Sequence, residues 1–319
     1  KLVTPTYKVK IDKFNGKTID IANPPTISGG ETVVIEGHIV TPTGEKATQF
    51  DGTVSTRIYD SEEHIVCKLN AGQDITPFEY DDRTRTLYAG TDSVKAGAFK
   101  FTFPVPLDIN YSDLPGLINL YAINTQKDIE ANGTFTEFIV SGTSTEEQID
   151  TIGPSIAAFS NGHNVSEISY TNETPTLRIE LSDESGINTT GNGLGHDIVA
   201  IIDNNEATTY TLNSYYTQSV GDYRSGTVTY TLPALSAGKH TLVIRAFDTL
   251  NNLGEQAYSF EVVTGLIQVY DIYDFTGRKV YSSSEHKPTL PPGIYIRRTR
   301  LTSPKGDISS SSEKFIITQ

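Results

Sequence analysis

The chain has no methionine at any of its 319 positions and a single cysteine, Cys67. A sequence that opens on Lys1 without an initiator is expected to be a processed or excised piece of a longer product. One cysteine excludes an internal disulfide framework and any cysteine-rich zinc module. No apolar run reaches the roughly 20 residues of a membrane-spanning helix. Nor does the start combine positive charge, an apolar segment and small residues as a signal peptide does. Basic runs are short too: the densest, Arg297, Arg298 and Arg300, reads as a solvated strand face. With 25 Lys and Arg against 39 Asp and Glu, a formal net charge of −14, the chain would repel a phosphate backbone. Nucleic acid is therefore not an expected partner.

What is present is strand composition. Thr, Ser, Asn, Gly, Ile, Val and Tyr dominate, and stretches with helical apolar spacing are missing. Short alternating runs recur at Thr32 to Val40, Gly52 to Tyr59, Ala98 to Val105, Thr176 to Leu181, His196 to Ile202, Thr227 to Leu232, His240 to Phe247 and Ala257 to Val262. In Leu177-Arg178-Ile179-Glu180-Leu181 the apolar groups fall on one face of a pleated strand, so that strand covers a core on one side only. Leu242 to Phe247 has a more apolar outer face and is expected to be more central.

These features predict an all-β chain of tandem immunoglobulin-like antiparallel β-sandwich domains with a small C-terminal β-sandwich. The polar stretch Ser141 to Gln148, followed by Asp150-Thr151-Ile152-Gly153-Pro154, marks one boundary, and Thr264-Gly265 a second. The expected units are an approach strand and linker at 1–26, a first sandwich at 27–149, an immunoglobulin-like sandwich at 150–264 and a short terminal unit at 265–319.

Few residues suggest chemistry. His64 and Cys67 are close, but an odd separation in an extended segment puts them on opposite faces and prevents a nucleophile–base pair. The densest polar constellation, Asp183 to Asn188 with Gly191 to Asp197, precedes a strand, whereas a phosphate-cradling loop needs a following helix. Asp183, Asp197, Asp203 and Asp248 could gather at strand ends as oxygen ligands for calcium, against a simpler role as loop-capping Asx turns. No other cofactor is expected. Asp203-Asn204-Asn205 and Asp248 to Asn252 read as hairpin turns. The histidines His38, His64, His163, His196, His240 and His286 have no metal-binding spacing. Tyr215-Tyr216 could serve sugar stacking or protein contact, or cap a core edge.

Several segments carry a family resemblance. Phe50-Asp51-Gly52 with Tyr59-Asp60, the run Phe99 to Tyr111, Asp150 to Pro154, the loop Asp183 to Asp197, Leu212 to Tyr216 and Ala246 to Asn252 together resemble one known region. It follows the protease domain in PorU-type sortases of the type IX secretion system, the gingipain-like cysteine peptidases of Bacteroidetes. The tail is similar to a type IX C-terminal signal domain through Ile272 to Val280, with Asp274, Gly277 and Arg278, then Pro292-Gly293-Ile294-Tyr295-Ile296, and finally Lys314-Phe315-Ile316-Ile317.

The resemblance implies an exported, cell-surface or outer-membrane-associated parent whose catalytic His and Cys lie before Lys1. Cys67 matches neither. It also implies two partners, the upstream catalytic domain of the same chain and an outer-membrane shuttle β-barrel on which the signal domain docks. The fragment itself is then expected to be non-catalytic. The competing reading is a surface adhesin or glycan-binding immunoglobulin-like module, suggested by the tyrosines and acidic loops.

Overall fold

The computed structural model describes residues 6–67, 77–145, 150–160, 163–164, 170–190, 195–284, 289–304 and 306–317. All of the longer elements are strands, and no helix among the described residues is long and apolar enough to cross a membrane. The chain is built of antiparallel β-sandwich domains in tandem.

The first domain contains β1 (Tyr7–Phe14), β2 (Lys17–Thr18), β3 (Thr26–Gly29), β4 (Thr32–Val40), β5 (Gly52–Tyr59), β6 (Glu63–Val66) and β7 (Glu79–Asp82). It continues with β8 (Thr86–Lys95), β9 (Ala98–Pro104), β10 (Leu114–Pro115), β11 (Leu117–Asn124), β12 (Ile129–Phe135) and β13 (Ile139–Thr143). Its main sheet runs β12-β11-β5-β8-β9-β4-β1-β2, and a parallel pairing of Tyr7 and Lys8 with Ala131 and Asn132 also joins β12 to the start of β1. That pairing covers part of the β12 edge. The inward residues of the alternating strands, among them Val33, Ile35, Val54, Ile58, Phe99, Phe101, Phe103, Ile118 and Leu120, form one core.

Residues 1–26, expected as an approach strand and linker, contribute more than that. Val9, Ile11 and Phe14 are buried in the first core, and β1 pairs with β4 along its length. The alternation in Tyr7 to Phe14 is interrupted by a register shift between Ile11 and Lys13, which obscures it in the sequence. At the other end, β13 extends to Thr143 and pairs with β3, so the first domain runs into the stretch expected as linker.

The second domain contains β14 (Ser155–Ser160), β15 (His163–Asn164), β16 (Tyr170–Thr171), β17 (Thr176–Ser182) and β18 (Val199–Ile202). It continues with β19 (Thr209–Thr211), β20 (Tyr216–Ser219), β21 (Asp222–Thr231), β22 (Gly238–Phe247) and β23 (Leu253–Val262). Two five-stranded sheets, β15-β14-β17-β21-β20 and β16-β23-β22-β18-β19, share one core that includes Ile179, Leu181, Val228, Leu242, Ile244 and Phe260. Tyr258 crosses between them: its hydroxyl donates to Ile156 O at 3.1 Å and accepts from Ala158 N at 3.1 Å.

The C-terminal segment contains β24 (Ile267–Asp274), β25 (Lys279–Ser283), β26 (Gly293–Ser303) and β27 (Gly306–Ile317). They make a single antiparallel sheet ordered β25-β24-β26-β27. A small sandwich was expected here; a facing layer of the segment's own is not among the described residues. Four strands supply one sheet, and Ile272 on β24 and Tyr295 and Leu301 on β26 are buried.

Candidate functional site

The segments that carry chemistry converge where the first two domains meet. β8 and β9 pair only at Val94 with Phe99 and Lys95 with Ala98, and beyond that they splay apart. The hairpin of β20 and β21 from the second domain sits at this opening. Gly221 N donates to Thr91 O at 3.0 Å, Gln218 Nε2 donates to the Tyr88 hydroxyl at 3.0 Å, and Tyr223 packs against the first core.

The loop after β9 makes the second seam. Leu107 N donates to Thr249 O at 3.1 Å, Asn251 Nδ2 donates to Asp108 Oδ1 at 3.3 Å, and His196 Nδ1 lies 2.8 Å from Asp108 Oδ2. Gly186 closes this seam with φ +92, and a Cβ there would stand 2.8 Å from Pro104 Cγ and 2.9 Å from Tyr223 Cδ2. A left-handed backbone pressed against two rings suits glycine alone.

Three carboxylates lie at the entry to the second domain. Asp150, Asp183 and Asp248 each place an oxygen within 4.8 Å of the others. Asp248 is fully buried and accepts from Leu250 N at 2.9 Å, Asn252 N at 2.7 Å and Asn252 Nδ2 at 2.7 Å. Asp150 accepts from Ile152 N at 3.0 Å and from the Ser185 hydroxyl, and Asp183 accepts from Ser185 N at 2.8 Å. Burial pushes Asp183 up to about 6, with the negative charges of Asp248 and Asp150 adding to the effect. Burial also raises Asp248, while the Ser185 hydroxyl lowers Asp150. Oxygen donors of this kind suit a hard cation such as calcium. Asp150 already ties the entry of the second domain to both loops: its Oδ2 accepts from the Ser185 hydroxyl, and its backbone O accepts from Asn252 Nδ2 at 3.1 Å.

Of the four aspartates expected at a calcium site, the structure brings together Asp183 and Asp248 and leaves out the other two. Asp203 accepts from Thr241 N at 3.0 Å and lies 2.8 Å from His240 Nδ1, at the opposite end of β22 from Asp248. Seven strand residues separate those ends by about 23 Å. Asp197, raised by burial, does not join the cluster. Asp150, read in the sequence as the entry of the second domain and not among the calcium candidates, is the member of the cluster that was missed, since nothing local marks it as facing two loops.

His64 and Cys67 do fall on opposite faces of the β6–β7 hairpin. His64 Nδ1 lies 2.9 Å from Asp81 and Nε2 3.3 Å from Glu79, while Cys67 N bonds Phe78 O. Asp248 to Asn252 makes the turn between β22 and β23, with Phe247 opposite Leu253. Asp203 to Asn205 opens a longer connection through a 3-10 turn at Glu206–Thr208. Tyr215 is exposed and meets Tyr230 edge to face at 4.8 Å, whereas Tyr216 is turned into the joint. Gly191 to Leu194 and the side chains of His163 and His286 lie outside the described residues.

In the terminal sheet the expected docking residues build two turns. Asp274 Oδ1 accepts from Thr276 N at 3.0 Å and Arg278 N at 3.1 Å, Asp274 Oδ2 accepts from Arg278 Nε at 3.0 Å, and Gly277 N donates to Asp274 O at 2.9 Å. The Thr276 hydroxyl bond and the Arg278 contacts lower Asp274 to about 2. Phe275 stands at the tip, 85% exposed. In the other turn, beside exposed Pro292, the Tyr295 ring lies over Gly293 and its hydroxyl donates to Pro291 O at 2.9 Å. Lys314 is exposed on β27.

No family model matches the chain, and no curated protein matches it by sequence. Among solved structures it is similar to dimeric latent PorU from Porphyromonas gingivalis, at 30% identity and a TM-score of 0.52, over 98% of this chain and 34% of that one. The chain thus spans about a third of that PorU chain, and over this stretch its relationship is PorU-like. Fibronectin(III)-like modules of Clostridium thermocellum CbhA align over 80% of this chain and 94% of theirs, at 11% identity and a TM-score of 0.22. A bacterial ice-binding adhesin aligns over 98% of each chain, at 10% identity and a TM-score of 0.24.

Proposed function

We propose that this chain is the non-catalytic β region of a PorU-like cell-surface cysteine peptidase of type IX secretion. In this reading the first two domains hold an upstream catalytic domain at a set angle, and the terminal sheet docks on an outer-membrane shuttle barrel. The catalytic His and Cys belong to the upstream part. The observation that carries the reading is the 30% identity to PorU over nearly the whole chain, which takes in the segments that make the joint. The resemblance of the tail to a signal domain supports the docking part.

Two measurements test it. The isolated chain is expected to have no peptidase activity sensitive to a cysteine-directed inhibitor, and such activity would overturn the non-catalytic assignment. Deleting 265–319 from the parent is expected to leave it mislocalised. Normal surface delivery would reduce the terminal sheet to a spacer.

A glycan-binding role is the second reading. It is favoured by a groove of about 650 Å³ between the domains, lined by Ser55, Arg57, Asn119, Tyr121 and Gln218 among others. Tyrosine faces and amides of this kind suit sugar stacking and hydrogen bonding. Reproducible binding on a glycan array, lost in Tyr121→Ala, would favour this reading over the first.

A further inference from the structure

We propose that the joint between the first two domains is a pH-responsive latch, in which the β20–β21 hairpin closes over Asp92 when that carboxyl group carries a proton and loosens when it ionises. The position of Asp92 carries the proposal. On β8 it faces the same side as Tyr88 and Val94, into the first core. It is 4% exposed, opposite Val54 on β5. Its Oδ2 has no hydrogen-bond partner among the described residues. The hairpin turn covers it: Gly221 bonds the neighbouring Thr91 O, and a Cβ on Gly221 would lie 4.0 Å from Asp92 Oδ1.

Among the described residues, the groups around Asp92 offer no compensating cation. On β8 the nearest titratable group is Tyr88, whose hydroxyl takes the Gln218 amide. From the hairpin come the Tyr216 hydroxyl, buried without a partner among the described residues, Asp222, which accepts from Arg224 N and the Ser225 hydroxyl, and Arg224, stacked 5.5 Å from the Tyr223 ring centre. On β5, Thr56 Oγ1 is buried without a partner, and Arg57 lies on the other face. On β9, Lys100 turns outward to Glu36. Burial is the one cause acting on the Asp92 carboxyl, and it pushes the group up to about 6 from 3.8.

A buried carboxylate with an unpaired oxygen is costly. Binding a proton relieves that cost, and so does admitting water by lifting the hairpin. The closed joint therefore prefers the protonated form. Because the closed-state pKa is the raised one, closure is strongest below the ordinary carboxylate value, weakens as pH rises from about 4 to about 6, and is level above that. If lifting the hairpin restores ordinary hydration, two pKa units correspond to a change of up to about a hundredfold in the closing equilibrium.

Hydrogen exchange of the Gly221 amide, corrected for intrinsic rate, reads this directly in the full 319-residue chain. Protection is expected to fall between pH 4 and 7 by up to about a hundredfold, and Asp92→Asn is expected to keep the low-pH protection throughout. A flat profile in the unaltered chain would overturn the proposal. So would an unchanged slope in Asp92→Asn, which would remove Asp92 as its source. Should Asp92→Asn fail to fold, a carboxyl-carbon NMR titration of the unaltered chain decides: a midpoint well above the usual aspartate value supports the latch, and an ordinary one removes it.

Discussion

Between the first and second domains, the hairpin turn bonds β8, Tyr223 packs against the first core, and Leu107, Asp108, Thr249 and Asn251 join the facing loops. Between the second domain and the terminal sheet, the chain passes through Val263 to Leu266. There Val263 N donates to Thr171 O, Gly265 N donates to Glu173, and Gly265 approaches Pro304. One junction is a fitted joint with apolar and polar seams, while the other is a short tether. The charge differs as well. Residues 265–319 have eight Lys and Arg against five Asp and Glu, in a chain with 25 against 39 overall. A fitted joint fixes an angle between domains, whereas a tether leaves the attached unit free to reorient toward a partner.

The largest expected effect comes from the first core. Phe103→Ala removes a fully buried ring that meets Tyr88 at 5.3 Å and should cost about 3–5 kcal/mol. In calorimetry, the first two domains should lose stability together while the terminal sheet keeps its own transition. Separate shifts for those two domains would break the comparison.

The terminal sheet has its own electrostatic support in Asp271, 1% exposed. Burial opposes ionisation there, yet Ser282, Lys279 and Arg300 outweigh it and hold the group down at about 2. Its folded pKa lies below the unfolded value, so its contribution is present above about pH 4 and lost as pH falls toward 2. Asp271→Asn should remove about 2 kcal/mol at pH 7, measured by denaturant titration of the terminal-sheet transition, and leave the first two domains unchanged.

At the fitted joint, Gly186→Ala should cost about 1–2 kcal/mol through backbone strain and pressure on Pro104 and Tyr223. It should also expose the Leu107 amide to exchange, where a mere surface loop would show neither effect. The smallest change is Tyr258→Phe, which deletes the hydroxyl bonded to Ile156 and Ala158 and should lower second-domain stability by about 1 kcal/mol.

Much of the fold was legible because alternation is a local signal. Leu177, Ile179 and Leu181 are buried as their spacing implied, and β22, with its more apolar outer face, lies between β23 and β18. Lost to the sequence were features set by distant pairing. The register shift in β1 hid that the approach strand belongs to the first core, and the proximity of Asp150 to Asp183 and Asp248 depends on how the entry of the second domain meets two loops. Asp92 gave no sign of itself either, because Thr91-Asp92-Ser93 reads as a polar stretch until the hairpin covers it.

The central claim is that the first two domains move as one body and the terminal sheet does not. Residual dipolar couplings test it most directly. At pH 4, where Asp92 is protonated and the joint closed, a common alignment tensor is predicted for residues 6–145 and 150–262, with a different or reduced one for 267–317. Distinct tensors for the first two domains, or one tensor shared by all three, would contradict it.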